Sequence, residues 1–326
     1  MNGLVHGAVY GGVIASVLLT TIAFGIWFER KFAGRMQSRL GPTIVGPFGL
    51  LQSVADVVKL LQKEDIVPRD ADRPLFDLAP VLAALFSLGV AAVVPFSPTI
   101  IASDLDVGVL YILAVGGLMV IPTFMAGWAS NNKFALIGGM RAIAQSVSYG
   151  VPLVLAVLVP VILSGTLSVS GIVTYQANHH WFLTWPVFIG VPAFVLYFMA
   201  MLAESNRIPF DIPEAESELV AGITTEYTGA KFTLFYMAEY VHTLVGSAVG
   251  AALFLGGWDG PFAPGLHWMV LKTLVLFTVV YWVRWSLLRL RSDQLMVLCW
   301  KWLTPIGVLL VLGAAAWVQF VPGGFQ

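Results

Sequence analysis

The amino-acid sequence predicts an all-α integral membrane protein with about eight transmembrane helices, forming one membrane domain over residues 1–326. Two observations predict this fold class. Hydrophobic residues make up 58% of the chain and charged residues only 11%, whereas roughly 25% of residues are charged in soluble domains. About eight segments also reach the roughly 20 apolar residues that a spanning helix needs, at 4–28, 74–97, 106–128, 141–164, 182–203, 232–255, 266–284 and 297–320.

Prolines inside these segments predict kinks, because proline lacks the backbone donor of a continuous helix. They are Pro122, Pro152, Pro160, Pro186, Pro192 and Pro305. Ordinary irregularity of membrane helices is one interpretation. Broken helices that line a hydrated path are the other, since irregular backbone at membrane depth is tolerated mainly beside water or protein.

The distribution of positive charge predicts the orientation of the helices. Lysine and arginine are concentrated between the first two segments and then in every second loop, whereas the loops near 98–105, 165–181 and 256–265 and both tails contain none. Because loops on the inner side carry the excess of positive charge, both termini are expected outside. Lys272 breaks the pattern, but its side chain is long enough to reach the outer surface. The N-terminus has no basic stretch, so the first segment is expected to be retained.

The composition also excludes several kinds of site. With Cys299 as the single cysteine and with five scattered histidines, the chain lacks the ligands for an iron–sulfur cluster or a Cys/His zinc site. The formal net charge of −1 predicts no affinity for nucleic acid, because no basic surface is available to displace counterions. Any redox metal is therefore expected in a partner.

The 29–73 segment, the first predicted inner loop, contains an amphipathic helix of its own. Helical spacing over about 48–63 places one apolar face opposite Gln52, Asp56, Lys59 and Lys63. The apolar face consists of Leu50, Leu51, Val54, Val57, Val58 and Leu61. Such a helix lies in the membrane interface. It serves either as a plain anchor or as the border of a lateral opening for a lipid-soluble substrate.

The 204–231 segment, here called the acidic segment, is the second notable inner loop. It carries Glu204, Asp211, Glu214, Glu216, Glu218 and Glu226 against Arg207 and Lys231. Asp211 and Pro213 predict a helix start and Gly222 its end. On that helix Glu214 and Glu218 would share a face, and their repulsion predicts a raised pKa for at least one of them.

Glu239 lies inside the sixth apolar segment, and an intramembrane carboxylate indicates a functional site. A solvated acidic loop, a loop that docks onto a basic partner, and a proton relay running from this loop into the helix are the three interpretations. The pair Glu239 and His242 would also suit a di-metal bundle, but that architecture needs a second such pair. The sequence has none, so no metal site is predicted.

Several of these motifs resemble one family. Glu29-Arg30-Lys31, followed by the stretches 36–42 and 45–52, closely resembles the first inner loop of the H-type membrane subunit of proton-pumping NADH:quinone oxidoreductase, respiratory complex I. The stretches 203–204, 207–211, 214–220, 226–227 and 238–240 resemble the acidic loop and sixth helix of the same family. The resemblance covers nearly the whole chain.

The resemblance implies a membrane subunit that forms the entrance of the quinone chamber and couples quinone reduction to proton translocation. It implies a quinone as substrate, whether ubiquinone, menaquinone or plastoquinone, and no metal or flavin bound by this chain. The implied partners are membrane lipid, the other membrane-arm subunits, and peripheral-arm subunits that carry the terminal iron–sulfur cluster and contact the two inner loops. The implied location is the bacterial cytoplasmic membrane or an organellar energy-converting membrane.

The same resemblance implies three groups of site residues. The chamber and arm interface would include Glu29, Arg30, Arg35, Arg39, Asp56, Arg207 and Asp211. The proton-coupling carboxylates would be Glu204, Glu214, Glu216, Glu218, Glu226 and Glu239. The quinone entrance would be bordered by Leu50, Leu51, Val54, Val57 and Val58.

The sequence departs from the family at two intramembrane positions. Members commonly have a glutamate where this chain has Gly150, and many bacterial members have another where it has Gly116 and Gly117. At Gly150, glycine leaves room for water in place of the missing carboxylate. Two alternatives to the complex I function remain: a homologous subunit of a membrane-bound hydrogenase or a ferredoxin- or deazaflavin-linked complex, and a stand-alone proton-coupled transporter.

Overall fold

The regular structure of the chain is helical. The computed structural model describes residues 2–178, 187–214 and 216–320. Within these ranges the helices are α1 (Asn2–Met36), α2 (Gln52–Gln62), α3 (Arg73–Ala91), α4 (Gly108–Gly117), α5 (Val120–Ala129), α6 (Lys133–Ser164), α7 (Val169–Asn178), α8 (Val187–Glu204), α9 (Glu216–Leu219), α10 (Gly229–Phe254), α11 (Leu266–Ser286), α12 (Ser292–Val297) and α13 (Thr304–Phe320).

The predicted spanning segments are confirmed as helices. Seven spans are long and apolar enough to cross a membrane, and the shorter apolar α8 adds residues 188–204. The first residues of the predicted segment 182–203, including Pro186, lie outside the described ranges. The rest of the segment forms α8. Two spans are composite: α4 and α5 together form Gly108–Ala129, and α12, a π-helical turn and α13 together form Ser292–Phe320.

One span is interrupted beside a proline, as the sequence predicts. The span Gly108–Ala129 is interrupted between α4 and α5, directly before Pro122. Because Pro122 has no backbone N–H, it cannot hydrogen-bond to the turn that precedes it. By contrast, α6 runs on as one helix through Pro152 and Pro160, so kinks there stay a prediction.

Helix α10 lies at the centre of the molecule. It packs against α3, α11, α8, α2 and α1, and most of its side chains on every face are buried. A helix that is apolar all round is stable when other helices surround it. The polar groups of α10 therefore face other parts of the chain, which places Glu239, Tyr240 and His242 inside the protein.

Lys272 of α11 reaches the loop that joins α10 to α11. Its ammonium Nζ donates to the backbone oxygens of Leu255, Gly257 and Asp259, at 2.5, 3.0 and 2.5 Å. These carbonyls follow the end of α10 and have no partner inside that helix. The ammonium group of Lys272 therefore lies at the loop after α10, and its position relative to the outer surface stays a prediction.

The 29–73 segment contains the predicted amphipathic helix, α2, over Gln52–Gln62. A tight turn precedes it, in which Gly49 has a φ of +77° and a side chain would meet the carbonyl of Pro42. The indole N–H of Trp27 donates to the backbone oxygen of Phe48 at 3.2 Å. The turn is thereby fixed against the end of α1.

The predicted helix from Asp211 to Gly222 is wrong, because only the short α9, Glu216–Leu219, forms there. Gly222 has a φ of +54° and lies against the carbonyl of Pro213, so this stretch folds back on itself. The Gln145 amide donates to the backbone oxygens of Ala203 and Phe210 at 2.6 and 2.9 Å. A side chain of α6 therefore satisfies a carbonyl at the end of α8 and another just before Asp211.

Candidate functional site

The candidate site is a buried network of charges centred on Arg207, just after the end of α8. Its Nε lies 3.1 Å from Oε1 of Glu239 on α10 and donates to the Thr243 hydroxyl at 3.3 Å. The guanidinium carbon lies 4.1 Å from the centre of the Tyr240 ring. With only 1% of its side chain exposed, Arg207 would be costly to bury without these partners.

Tyr240 links this pair to a second one formed by Glu29 and Arg284. The Tyr240 hydroxyl donates to Oε2 of Glu29 at 2.6 Å, and Arg284 Nη1 donates to the other oxygen of Glu29 at 2.7 Å. The Tyr236 hydroxyl lies 3.0 Å from that of Tyr240. Residues from α1, α10 and α11 thus form one hydrogen-bonded chain, in which neighbouring groups polarise one another.

Arg207 keeps unused hydrogen-bonding capacity within this network. Its Nη1 and Nη2 are buried and have no hydrogen-bond partner in the described part of the chain. Burial opposes the charged form, but Glu239, Tyr240 and Glu29 outweigh it and raise the pKa of Arg207 well above its usual value. The site therefore holds a permanent positive charge that faces inward.

Glu214 lies next to this network and has a perturbed pKa. Burial, followed by the charges of Glu239 and Asp211, raises the pKa of Glu214 well above its usual value. The predicted raised pKa is thus confirmed, but the predicted partner is wrong. Glu218 does not lie beside Glu214 on one helix; it binds Arg141, whose hydrogen bond lowers the pKa of Glu218.

The other predicted carboxylates are distributed around the network. Oε2 of Glu204, the last residue of α8, lies 3.7 Å from Nε2 of His242 on α10. Oε1 of Glu226 accepts from the Asn132 amide at 2.6 Å. The side chain of Glu216 lies outside the described residues. Among the described carboxylates of this set, Glu239 contacts Arg207 directly, and Glu214 and Asp211 interact with Glu239 through their charges.

The 29–73 segment contributes a separate, more exposed group. Arg30 Nη1 binds Oδ2 of Asp56 at 2.5 Å, and the Gln52 amide donates to the other oxygen of Asp56 at 3.1 Å. Arg35 and Arg39 are exposed. The predicted entrance residues Leu50, Leu51, Val54 and Val58 are exposed on one face of the chain and Val57 is half-buried.

Comparison with known proteins decides the family. The family model described as NADH dehydrogenase matches residues 10–315. The chain belongs to the NADH dehydrogenase family. Among its relatives, a protein of Dehalococcoides mccartyi is 46% identical over 304 residues, covering 93% of this chain and 84% of the relative. A protein of Brevibacillus brevis is 46% identical over 323 residues, covering 96% and 95%.

A third relative, from Chlorobaculum tepidum, is 45% identical over 320 residues, covering 93% of this chain and 89% of the relative. All three relatives carry the name of the same H-type subunit of NADH-quinone oxidoreductase. The resemblance that the sequence motifs indicated is thereby confirmed at the level of the family.

Sequence reasoning missed two residues of the charge network, Arg284 and Tyr240. The sequence motifs assigned no role to Arg284, yet it binds Glu29 near the centre of the site. Tyr240 lies in the stretch 238–240 that resembles the family but was assigned no role, yet it joins the two ion pairs. Arg284 belongs to the spanning helix α11, and a charged residue within a span is itself a functional indication that could have found it.

The glycines at which this chain departs from the family pattern have different surroundings. A side chain added at Gly150 or Gly117 would meet nothing within 4 Å, so there is room at both positions. Gly116 differs, because a Cβ there would come within 2.6 Å of Oε1 of Glu204. Glu204 therefore fills the space beside Gly116 that a side chain at that position would need.

Proposed function

We propose that this chain forms the entrance of the quinone chamber in an NADH-quinone oxidoreductase and couples quinone reduction to proton translocation. Its family membership and its multi-pass helical fold support a membrane subunit of that enzyme. The names of its relatives favour this function over a hydrogenase subunit or a stand-alone transporter. The observation that carries the coupling role is the buried pair of Arg207 and Glu239, flanked by the perturbed Glu214.

The chemistry of a quinone explains why such a network is needed. Reduction of a quinone to a quinol takes up electrons and protons in equal number, and the electrons come from an iron–sulfur cluster of a partner subunit. Until the protons arrive, negative charge builds up in a cavity of low dielectric constant. A carboxyl group whose pKa is already raised, such as Glu214, exchanges its proton in response to a new charge nearby.

The network couples that local charge to α10. Arg207 touches Glu239 and Tyr240 on one side, and Tyr240 touches Glu29 on the other. A change of protonation at Glu214 alters the balance of charge around Arg207, because the charges of Arg207, Glu239 and Asp211 all interact with the Glu214 carboxyl group. The titrations of these acids are therefore linked and belong to the set rather than to one residue.

The 29–73 segment suits the entrance and the partner interface. The apolar face of α2 is exposed, as are Val13, Val17 and Phe24 on α1, and such surfaces suit lipid or a lipid-soluble quinone tail. Arg35 and Arg39, beside the exposed Leu40 and Ile44, would contact the peripheral arm. In this arrangement the membrane is a cytoplasmic or organellar energy-converting membrane, with both termini on the outer side.

Glutamate-to-glutamine variants test the coupling role. Glu204→Gln, Glu216→Gln and Glu239→Gln keep the shape and remove the titration, so the assembled complex should oxidise NADH with an artificial acceptor at the normal rate. Less complex should assemble with Glu239→Gln, because that change leaves the buried Arg207 without its carboxylate, so rates are compared per assembled complex. Quinone-linked turnover and proton transport should fall by about tenfold or more, because relay groups contribute on that scale. Glu64→Gln, at an exposed position, is the matched control. Wild-type proton transport in all three variants would overturn the proposal.

A further inference from the structure

We infer that His242 is the next proton-relay group after Glu204, and that it continues the path where this chain lacks the two intramembrane carboxylates. This inference rests on the proposed coupling function and adds a residue and a route to it. His242 lies on α10 three residues beyond Glu239, halfway along the helix. It belongs to the same central helix as the charge network but faces a different neighbour.

The first support is the placement of the two side chains. Oε2 of Glu204 and Nε2 of His242 are 3.7 Å apart, with 11% and 7% of their side chains exposed. This separation is slightly too long for a direct hydrogen bond and suits a bridge through one water molecule or a small side-chain rotation. Glu204 is therefore positioned to exchange a proton with the imidazole.

The second support is the other ring nitrogen. Nδ1 of His242 is buried and has no hydrogen-bond partner in the described part of the chain. A buried polar atom without a partner costs free energy, so it calls for a water molecule or a function. An imidazole that receives a proton on one nitrogen and releases it from the other needs its second nitrogen unoccupied by the protein.

The third support is a small cavity between α3, α4, α6, α8 and α10. It has a volume of about 30 Å³ and is lined by Glu204 and His242 together with Gly116, Tyr197, Leu153 and Val157, among others. A volume of this size holds about two water molecules. Glu204, His242 and Tyr197 are the titratable groups that face it, and the Tyr197 hydroxyl donates to the Gly246 carbonyl at 2.8 Å.

The glycines explain why the path turns to His242. Gly116 has no side chain, and a Cβ there would come within 2.6 Å of Oε1 of Glu204. Gly150 lies one and two turns before Leu153 and Val157 on α6, so the face of α6 that lines the cavity carries no acid. Among the groups that line the cavity, only the imidazole and the Tyr197 phenol remain to take a proton from Glu204.

The proton step is balanced within these groups. The Glu204 carboxyl releases its proton, through water, to Nε2 of His242, which leaves a carboxylate beside an imidazolium. The imidazolium then releases the proton on Nδ1 to a water molecule on that side of the ring and is left neutral as the Nε2–H tautomer. Glu204 regains a proton from the acidic segment, and rotation of the imidazole ring restores the Nδ1–H tautomer, so neither group changes overall in one cycle.

The test uses the intact complex in sealed vesicles, with quinone reduction and proton uptake measured together. His242→Gln should assemble and keep artificial-acceptor oxidation of NADH, while protons moved per quinone reduced fall by about tenfold. His242→Asn is the second variant in case glutamine disturbs packing, and it should behave in the same way. His267→Gln, at an exposed position of α11, is the matched control and should keep the wild-type ratio.

Two further variants separate this inference from the proposed function. If Glu204→Gln lowers the ratio but both His242 variants keep it, the coupling function stands and the role of His242 is wrong. If Gly150→Leu lowers the ratio and His242→Gln does not, the path runs along hydrated α6 instead. If Glu204→Gln and the His242 variants keep the ratio while Glu239→Gln lowers it, this inference is wrong and the proposed function stands; if Glu216→Gln and Glu239→Gln keep it as well, both are wrong.

Discussion

The Arg207 network and the 29–73 segment differ in which side chains they bury and which they expose. In the network, charged side chains are buried and neutralised by residues of the same chain, and Arg207 is only 1% exposed. In the 29–73 segment, large apolar side chains are presented outward, with Leu40, Ile44 and Phe48 exposed by 86%, 92% and 80%. The two regions are joined through α1, which carries Glu29 and Arg30 at adjacent positions.

This contrast indicates which part of the site the chain builds alone. The network has its partners on α1, α10 and α11, so its geometry is set when the helices pack. The 29–73 segment exposes apolar surface of a kind that marks a contact with protein or membrane. Its final geometry therefore depends on the protein or lipid that covers it, and changes in the two regions should have different effects on activity and stability.

The largest expected effect is on stability, in the variant Arg207→Met. Removing one partner of a buried ion pair leaves the other charge uncompensated, which costs about 3–5 kcal/mol. The thermal midpoint of the purified complex should fall and less complex should assemble. Arg73→Met is the matched control, because Arg73 is 79% exposed and lies 3.9 Å from Asp77. Equal stability of the two variants would mean that the network does not hold α10 in place.

Glu214→Gln should change how stability depends on pH. The folded state raises the pKa of Glu214 above the ordinary 4.5, so the folded protein binds this proton more tightly than the unfolded chain. The free energy of unfolding therefore falls as pH rises from 4.5 through the raised pKa, by at most about 1.4 kcal/mol per pH unit. Thermal midpoints measured across pH should show this fall in the wild type and a smaller one in the variant. A parallel pair of curves would contradict the prediction.

Arg39→Ala should affect the partner interface and leave the fold unchanged. Arg39 is exposed, and the hydrogen bond recorded for its side chain is to Gln37 of the same loop, at 2.6 Å. Quinone reductase activity should fall by about fivefold, equivalent to about 1 kcal/mol for one interface arginine. Artificial-acceptor oxidation and the thermal midpoint should stay at wild-type values. Lys301 is an exposed residue of another segment, so Lys301→Ala serves as the control. An equal loss of quinone reductase activity in Lys301→Ala would contradict a specific role for Arg39.

The smallest effect is expected for Glu218→Gln. Arg141 lowers the pKa of Glu218 by a hydrogen bond, so its contribution to stability is present at neutral pH and is lost as pH falls through the lowered pKa. The pair is exposed, and exposed pairs contribute at most about 1 kcal/mol. The thermal midpoint at neutral pH should drop slightly, and the difference from wild type should disappear in acid. A growing difference in acid would contradict this sign.

The spans and α2 could be predicted from the sequence because their cause is local. Apolar length selects the spanning helices, and the spacing of Leu50, Val54 and Leu61 on one face selects α2. The helix from Asp211 was wrong for a reason that no local pattern shows. Gln145 reaches from α6 to the carbonyls of Ala203 and Phe210, just before this stretch, and Gly222 lies against the carbonyl of Pro213.

The candidate site was predicted as a set of acids but not as a geometry. Glu239 was found because carboxylates are rare in apolar segments, and Glu204 was found as a member of the acidic segment. The contact between Arg284 and Glu29 joins residues 255 positions apart, and helix packing alone brings them together. Glu214 was assigned a neighbour four residues along a helix, whereas its actual neighbours belong to α10 and to the loop itself.

Lys231, at the start of α10, has a mechanical consequence for the whole site. Its ammonium lies 2.8 Å from Asp65 after α2 and 2.6 Å from Asp77 on α3. Movement of α10 along its axis would lengthen both contacts at once, so these ion pairs oppose such movement at that end of the helix. The N-terminal end of α10, about two helical turns before Glu239, is therefore held in register with α3 and with the segment after α2.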